Sequence, residues 1–148
     1  MSSKEEHYRK LENMYLGIQL NQNIYELTEI HIEEAKAVIE MPVIAKYHHA
    51  LGAMHGSVYF KLMDDAAFFA VNSLVEDYFV LTTSFNIHLV RPVIEGKIRA
   101  EGNVQFVSKS LFVAEARLYN EEGKELGFGT GNFVKSKSML TEEIGYKL

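Results

Sequence analysis

The chain has 148 residues, about the length of one ordinary domain. Its 47% hydrophobic and 24% charged residues exclude a disordered or fibrous chain. The net charge of −5 argues against a general nucleic-acid-binding protein, and the lack of cysteine excludes a disulfide framework and thiol chemistry. No apolar run reaches the length of a membrane span, and no signal-peptide core follows the start, so we expect one compact domain, 1–148, in the cytoplasm.

The first third of the chain predicts a short helix and two strands. Apolar residues recur at helical spacing within residues 4–16, which favours an amphipathic helix ending near Gly17 and an N-terminal helical segment, 1–20. From Ile24 to Met41 the pattern becomes β-like, which predicts a hairpin around Glu33-Glu34. The stretch AKYHHALGAM that follows Pro42 is predicted to be a loop.

One long apolar segment, from Gly56 to about Val75, lacks the alternation of a strand and predicts a helix. Asp64 and Asp65 stand in its middle, in the stretch HGSVYFKLMDDAAFFA, although an isolated carboxylate is costly to bury. Neighbouring side chains point about 100° apart around a helix, so the two acids cannot face the same spot. We therefore expect Asp65 to meet a polar partner or an interface and do not take it as catalytic.

The rest of the chain predicts four antiparallel strands in a meander. Gly102 is predicted to mark a bulge or bend, and EEGK, residues 121–124, to form a hairpin turn. Glycines at every second position from Gly127 to Gly131 predict close packing by a large group or a bent strand. Residues 138–148 give no clear prediction. Six antiparallel strands and one long helix place the fold in the α+β class, with a strongly curved sheet around the helix.

Three stretches of the sequence carry a resemblance to a known family: LGAMHGSVYFKLMDDAA, TTSFNIHLVRPVIEGKIRAEG and VAEARLYNEEGKELGFGTG. A Gly-x-x-His-Gly motif opens the helix at Gly52, His55 and Gly56, and Asp64 follows His55 by nine positions. A strand ending at Pro92 is followed closely by Gly96 and a further strand. From about Ile24 to Val134, the chain resembles the hotdog-fold acyl-CoA thioesterases of the PaaI type.

The resemblance implies hydrolysis of acyl-CoA or aryl-acyl-CoA at a site in a homodimer interface, often within a tetramer. Asp64 would be the nucleophile or the general base on water, and the N–H of Gly56 the oxyanion donor. His55 would position the loop. His49 stands where the family commonly has Asn or Gln, and Thr82 where a Ser or Thr of the second subunit lies near the attacking water. No cofactor is implied beyond the CoA of the substrate.

Three further residues are candidates for substrate binding. Ser57 replaces a usual glycine and adds a hydroxyl beside the presumed oxyanion site. Asn86 is predicted to share one strand face with Thr82, in a polar row with Ser84 and His88. A basic rim is expected for the CoA phosphates, but no spacing singles out one member. Its candidates are Arg91, Lys97, Arg99, Lys135 and Lys137.

Other kinds of site fit the sequence less well. His48, His49 and His55 with Asp64 lack the spacing of a metal-binding motif, so we expect no metal. The glycines of residues 127–131 follow no strand-to-helix transition, which excludes a phosphate-binding loop. A hotdog dehydratase or hydratase would place its histidine and acid at other separations. A non-catalytic acyl-CoA-binding protein or sensor remains the alternative from another class, because His49 and Ser57 depart from the family pattern.

Overall fold

The computed structural model describes residues 1–148 and consists of one six-stranded antiparallel sheet around a long helix. Three helices occupy Ser3–Gly17 (α1), Gln19–Asn23 (α2) and Gly56–Asn72 (α3). The strands are Glu29–Glu33 (β1), Lys36–Pro42 (β2), Tyr78–Leu89 (β3), Lys97–Val107 (β4), Phe112–Tyr119 (β5) and Glu125–Met139 (β6). No helix is both long and apolar enough to cross a membrane.

The sheet order β1-β2-β4-β5-β6-β3 places β3 at one edge beside β6, so the prediction of a meander for the last four strands is wrong. Helix α3 contacts all six strands. This arrangement confirms the predicted α+β fold with a sheet wrapped around a central helix. Leu62, Met63 and Ala66 of α3 are each at most 1% exposed. An apolar helix surface of this width is stable only when other elements cover it.

Gly102 lies where β4 passes closest to α3, and the prediction of a bulge there is wrong. Its pairing with Ala37 on β2 and Ala116 on β5 is regular, and the bulge in β4 falls between Val104 and Phe106 instead. A Cβ on Gly102 would overlap the carbonyl group of Ala66 and lie 2.6 Å from Ala67 N. Glycine is therefore required by the close approach of two backbones.

Two of the three alternate glycines of β6, Gly129 and Gly131, face one large group, as predicted, whereas Gly127 faces Met63 and Leu89. The Phe85 ring on β3 lies over two of them, so that added Cβ atoms at Gly129 and Gly131 would come within 2.6 Å of its ring carbons. Phe60 of α3 meets the same ring edge-on, with centroids 5.7 Å apart. The glycines thus make room for an aromatic layer between β3 and α3.

A β-bulge at Thr83 reverses the alternation of β3, so the predicted polar row on one face is wrong. Thr82 pairs with Phe133, whereas Ser84 pairs with the adjacent Asn132, which leaves Thr83 as an extra residue. Thr82 consequently faces α3. Ser84 accepts a hydrogen bond from Asn132 Nδ2 on the opposite face of the sheet.

Asn86 and His88 follow Ser84 on that outer face. His88 stacks on Phe128, with ring centroids 5.0 Å apart, and Asn86 pairs with Thr130. The face that looks toward α3 after the bulge is apolar instead, because Phe85, Ile87 and Leu89 alternate with the polar residues.

The N-terminal helix is confirmed, but the chain forms a second short helix, α2, before β1. The strand predicted from Ile24 begins only at Glu29. Ile18 separates α1 from α2 in an extended conformation. The His7 ring, 3% exposed, joins α1 to the C-terminal tail, because it lies 2.6 Å from Tyr146 Oη and 2.9 Å from the Asn72 carbonyl oxygen.

Candidate active site

Asp64 lies half-buried on α3 and faces β3. Thr82 Oγ1 donates a hydrogen bond of 2.8 Å to Asp64 Oδ1. Burial raises the pKa of Asp64 from an ordinary 3.8 to about 6, the Thr82 hydrogen bond opposes that rise, and the charges of Asp65 and Lys61 act in opposite directions. The carboxylate is therefore unusually basic for an aspartate and still mostly ionised at neutral pH.

The Asp64 carboxyl group and Thr82 open onto a cavity of about 240 Å³, which we call the acid cavity. Its remaining wall is mainly aromatic and aliphatic, with Phe68 and Phe69 from α3 and Phe79 from β3. The other side is supplied by the N-terminal helices through Met14, Tyr15, Ile18 and Leu20. A carboxylate at the edge of an apolar cavity is suited to a substrate with an apolar group beside its reacting atom.

Asp65 is held away from Asp64 by its own set of partners, as predicted. Tyr15 Oη donates to Asp65 Oδ2 at 2.7 Å, and Lys61 Nζ donates to the same oxygen at 2.8 Å. Lys61 Nζ also reaches Asn21 Oδ1 at 2.9 Å and Tyr15 Oη at 3.1 Å. Burial and the Asp65 charge raise the pKa of Tyr15 well above its ordinary value. Asp65 thus belongs to a polar network with Tyr15 and Lys61, separate from the contact between Asp64 and Thr82.

The N-terminus of α3 carries an unused donor at Gly56. His55 Nδ1 caps the helix by accepting a hydrogen bond of 3.0 Å from Ser57 N. The N–H of Gly56 donates to no group of the chain. A developing negative charge on a ligand oxygen is favoured at such a helix end.

Gly56 and His49 line a second, more open cavity of about 410 Å³, which we call the helix-start cavity. His49 Nδ1 accepts from Leu51 N at 3.1 Å. The ring proton of neutral His49 therefore sits on Nε2, which is available as a donor. Arg91 also lines this cavity, although its guanidinium group donates to the Glu125 carbonyl oxygen at 2.6 Å.

The predicted site residues fall into two groups that do not meet within one chain. Asp64 and Thr82 border the acid cavity, whereas Gly56, His49 and Arg91 border the helix-start cavity. Gly56 and Asp64 are eight residues apart on one helix, which corresponds to about 12 Å along its axis. One carbonyl group cannot contact both at once.

Ser57 and Asn86 lie away from both cavities. The Ser57 hydroxyl lies 2.8 Å from His55 Nδ1 and faces a third cavity, shared with Tyr25 and Tyr47, on another side of the helix start. Asn86 lies on the outer face of β3, as described above. Thr82 contacts the aspartate of its own chain, whereas the resemblance implied a threonine from the second subunit.

Most of the suggested basic rim is engaged in ion pairs. Lys97 pairs with Glu29 and Glu40, and Arg99 with Glu101. Lys135 pairs with Asp77. The six histidines and the acids form no group of three side chains placed to hold a metal ion.

The sequence reasoning missed the residues that surround Asp64. Lys61 and Asp65 are four positions apart on a helix, a spacing that by itself predicts an ion pair. No sequence pattern marked Ile18 and Leu20 as cavity residues, because they come close to α3 only in the tertiary fold.

Comparison with known proteins identifies the family. Residues 51–126, just over half of the chain, match the model of the thioesterase superfamily. The chain belongs to this superfamily. The match includes His55 and Gly56 at the start of α3, as well as Asp64 and Thr82, but neither His49 nor the N-terminal helices.

Individual known proteins are similar to this chain in sequence or in fold. The 1,4-dihydroxy-2-naphthoyl-CoA hydrolase of Listeria monocytogenes is 29% identical over 98 residues, which are 66% of this chain and 80% of that protein. The PaaI protein from the phenylacetic acid degradation operon of E. coli superposes with a TM-score of 0.83 at 22% identity, covering 95% of this chain and all of that one. A Haemophilus influenzae thioesterase gives 0.73 at 21% identity, over 83% and 87%. The last two likenesses establish the hotdog fold.

Proposed function

We propose that this member of the thioesterase superfamily hydrolyses acyl-CoA or aryl-acyl-CoA thioesters to the free acid and CoA, with Asp64 as the base or nucleophile. The observation that carries the proposal is the half-buried Asp64 carboxyl group, whose pKa is raised to about 6 beside an apolar cavity. A base of this strength is ionised at neutral pH yet accepts a proton from water more readily than an ordinary aspartate.

In the proposed reaction, Asp64 removes a proton from a water molecule while the water oxygen attacks the thioester carbonyl carbon. The carbonyl oxygen gains the negative charge, and the N–H of Gly56 stabilises it. When the tetrahedral intermediate collapses, the C–S bond breaks, and CoA leaves as a thiolate that takes up the proton held by Asp64, which restores the carboxylate. Direct attack by Asp64 would instead form an anhydride that water then opens.

A complete site in this proposal requires two copies of the chain, as a homodimer that can pair further into a tetramer. The main support is the distance of about 12 Å along α3 between Gly56 and Asp64, which no single carbonyl group spans. The free edge of β3 is a surface for joining two sheets, and Leu81 and Leu89 on this strand are 47% and 48% exposed. Edge pairing would cover both.

Measurement of thiol release from a panel of acyl-CoA and aryl-acyl-CoA substrates tests the proposal. We expect kcat/KM to rise with pH through an apparent pKa near 6 and then level off, because only ionised Asp64 acts as the base. A profile without this acidic limb would contradict the role of Asp64. Tight binding of acyl-CoA without any thiol release would favour a binding or sensor protein, the alternative suggested by the off-pattern His49 and Ser57.

Thr82→Val is expected to move the acidic limb of this profile to higher pH. The Thr82 hydroxyl stabilises the ionised form of Asp64, so that its loss raises the pKa of the carboxyl group further. Activity at pH 6 should then fall more than activity at pH 8. Thr83→Val is the matched control, because the Thr83 hydroxyl donates to the Asn132 carbonyl oxygen and not to Asp64. An acidic limb at the same pH in Thr82→Val and wild type would argue against this contact.

Gly56→Pro is expected to lower kcat by about 10²–10³-fold, the usual cost of losing one oxyanion donor. Proline is well tolerated as the first residue of a helix, and His55 already has the extended conformation that precedes it. Gly56→Ala is the matched control, since it brings the same Cβ toward Leu89 Cδ1 but keeps the N–H. Similar losses in both variants would show that the effect is steric.

A further inference from the structure

The N-terminal helical pair, residues 3–23, forms one wall of the acid cavity. Ile18 and Leu20 lie at this wall, 42% and 45% exposed, and they face Phe68 and Phe79 across the cavity. Met14 and Tyr15 belong to the same wall but are buried, at 3% and 4% exposure. Ile18 and Leu20 are therefore the residues of this wall that still have apolar surface to bury.

A polar network fastens the helical pair to α3 beside Asp64. Lys61 uses all three ammonium protons, on Asp65, Asn21 and Tyr15, and its side chain is only 13% exposed. Asn21 Nδ2 in turn donates to the Tyr15 carbonyl oxygen at 2.8 Å, which connects α2 to α1. The Lys61 ammonium also lies 4.5 Å from the Tyr25 ring centroid. The Lys61 ammonium thus contacts a residue of each helix, Tyr15 on α1 and Asn21 on α2.

The network contributes little net charge to the cavity. The charges of Lys61 and Asp65 have opposite signs and act oppositely on Asp64. With its three protons engaged, the Lys61 ammonium has none left for a carboxylate on a substrate. The wall is therefore apolar at Ile18 and Leu20, and the charges of Lys61 and Asp65 beside it compensate each other.

We infer that the helical pair selects the acyl group of the substrate, with Ile18 and Leu20 as specificity-determining residues and Lys61 as the positioning residue that holds them. This inference rests on the proposed function, since it assigns the acid cavity to the acyl group. The helical pair would favour substrates with an uncharged acyl group whose length matches the distance from Asp64 to the helical pair. Each methylene group of the substrate that is buried against this wall increases the binding affinity about fourfold.

The inference is tested with butyryl-, octanoyl- and dodecanoyl-CoA and with their non-hydrolysable thioether analogues. In the Ile18→Ala/Leu20→Ala variant, we expect the dodecanoyl-to-butyryl ratio of kcat/KM to rise at least tenfold, because the wall recedes. In Ile18→Trp, the ratio should fall at least tenfold. The acidic limb of the pH profile should stay where it is in both. Ile18 and Leu20 are half-exposed, so neither variant removes a core residue.

Lys61→Met keeps the aliphatic stem but removes the cation. We expect the ratio of KM for butyryl-CoA to KM for dodecanoyl-CoA to come at least fivefold closer to one. The acidic limb should also move to higher pH, because the ammonium lowers the pKa of Asp64. Lys10→Met is the matched control: Lys10 pairs with Glu6 four positions away on α1 but lies at no cavity wall.

The outcomes separate this inference from the proposed function. If the wild type releases thiol and the Ile18 and Leu20 variants change kcat/KM by the same factor for all three substrates, the helical pair does not select the acyl group. If the wild type releases no thiol, the proposed function is wrong, and the dissociation constants of the thioether analogues still decide the inference. A chain-length dependence that is unchanged by the variants would overturn it.

Discussion

Asp64→Asn should lower kcat/KM for acyl-CoA hydrolysis by about 10³-fold, because general-base catalysis typically contributes 10²–10⁴-fold. Asparagine keeps the size and the acceptor oxygen for the Thr82 hydroxyl but cannot take a proton from water. Thiol release under saturating and subsaturating substrate measures the loss. We expect it in kcat, with KM changed by less than threefold, since the acyl group would still fit the cavity.

Asp65→Asn is the matched control for this variant. It changes the adjacent acid on the same helix, whose oxygen already accepts from Tyr15 and Lys61. We expect it to retain at least a tenth of wild-type kcat, with the acidic limb moved to lower pH, because the charge of Asp65 raises the pKa of Asp64. Equal losses for the two variants would remove the distinction between a catalytic and a structural aspartate.

The stability of Asp64→Asn separates lost chemistry from lost structure. The folded-state pKa of Asp64, about 6, lies above its ordinary 3.8, so the folded protein holds this proton more tightly than the unfolded chain. Ionised Asp64 consequently opposes folding as the pH rises from about 4 to above 6. The variant lacks this cost and should be more stable than wild type at pH 8 by on the order of 1 kcal/mol. Denaturant unfolding at pH 4 and pH 8 measures the difference.

Gly102→Ala should destabilise the fold by roughly 3 kcal/mol or more. The new methyl group would meet the backbone of α3 at Ala66 and Ala67 in place of a flexible side chain. Relief requires either the helix or the central strand β4 to move, and β4 is paired on both sides. Urea unfolding of the purified variant, monitored by circular dichroism, measures the change.

Gly17→Ala is the control for the glycine series. An added Cβ there meets no atom within 4 Å, and its position at the end of α1 is compatible with a side chain. Alanine favours helices over glycine by about 1 kcal/mol, so this variant should match or exceed wild-type stability. Equal destabilisation by both substitutions would contradict the close approach at Gly102.

Local patterns predicted most of the fold. The long apolar run from Gly56 and the alternating strands identified α3 and the sheet, because period and composition are properties of neighbouring residues. The bulge at Thr83 could not be predicted, since a single extra residue depends on pairing with β6, which lies about 50 positions later in the chain. Its effect is large, because it turns Thr82 toward Asp64 and Asn86 away from it.

Sequence reasoning likewise identified some parts of the candidate site and missed others. Asp64 and Gly56 were proposed as site residues because the motif that contains them resembles that of a known family. The cavity walls did not, because Ile18 and Phe79 come together only when the N-terminal helices fold back onto α3. Ser57 was expected beside the oxyanion donor, but its hydroxyl lies 2.8 Å from the Nδ1 of the capping His55 and faces a different cavity.

The central claim is that Asp64 of one copy acts with Gly56 of another, and mixed oligomers test it most directly. Asp64→Asn and Gly56→Pro, each nearly inactive alone, are unfolded, mixed in equal amounts and refolded together. If the site is shared, half of the dimers are mixed and each has one intact site, so that about a quarter of wild-type activity returns. If both groups act within one chain, every site contains a defect, and the mixture stays as inactive as its components.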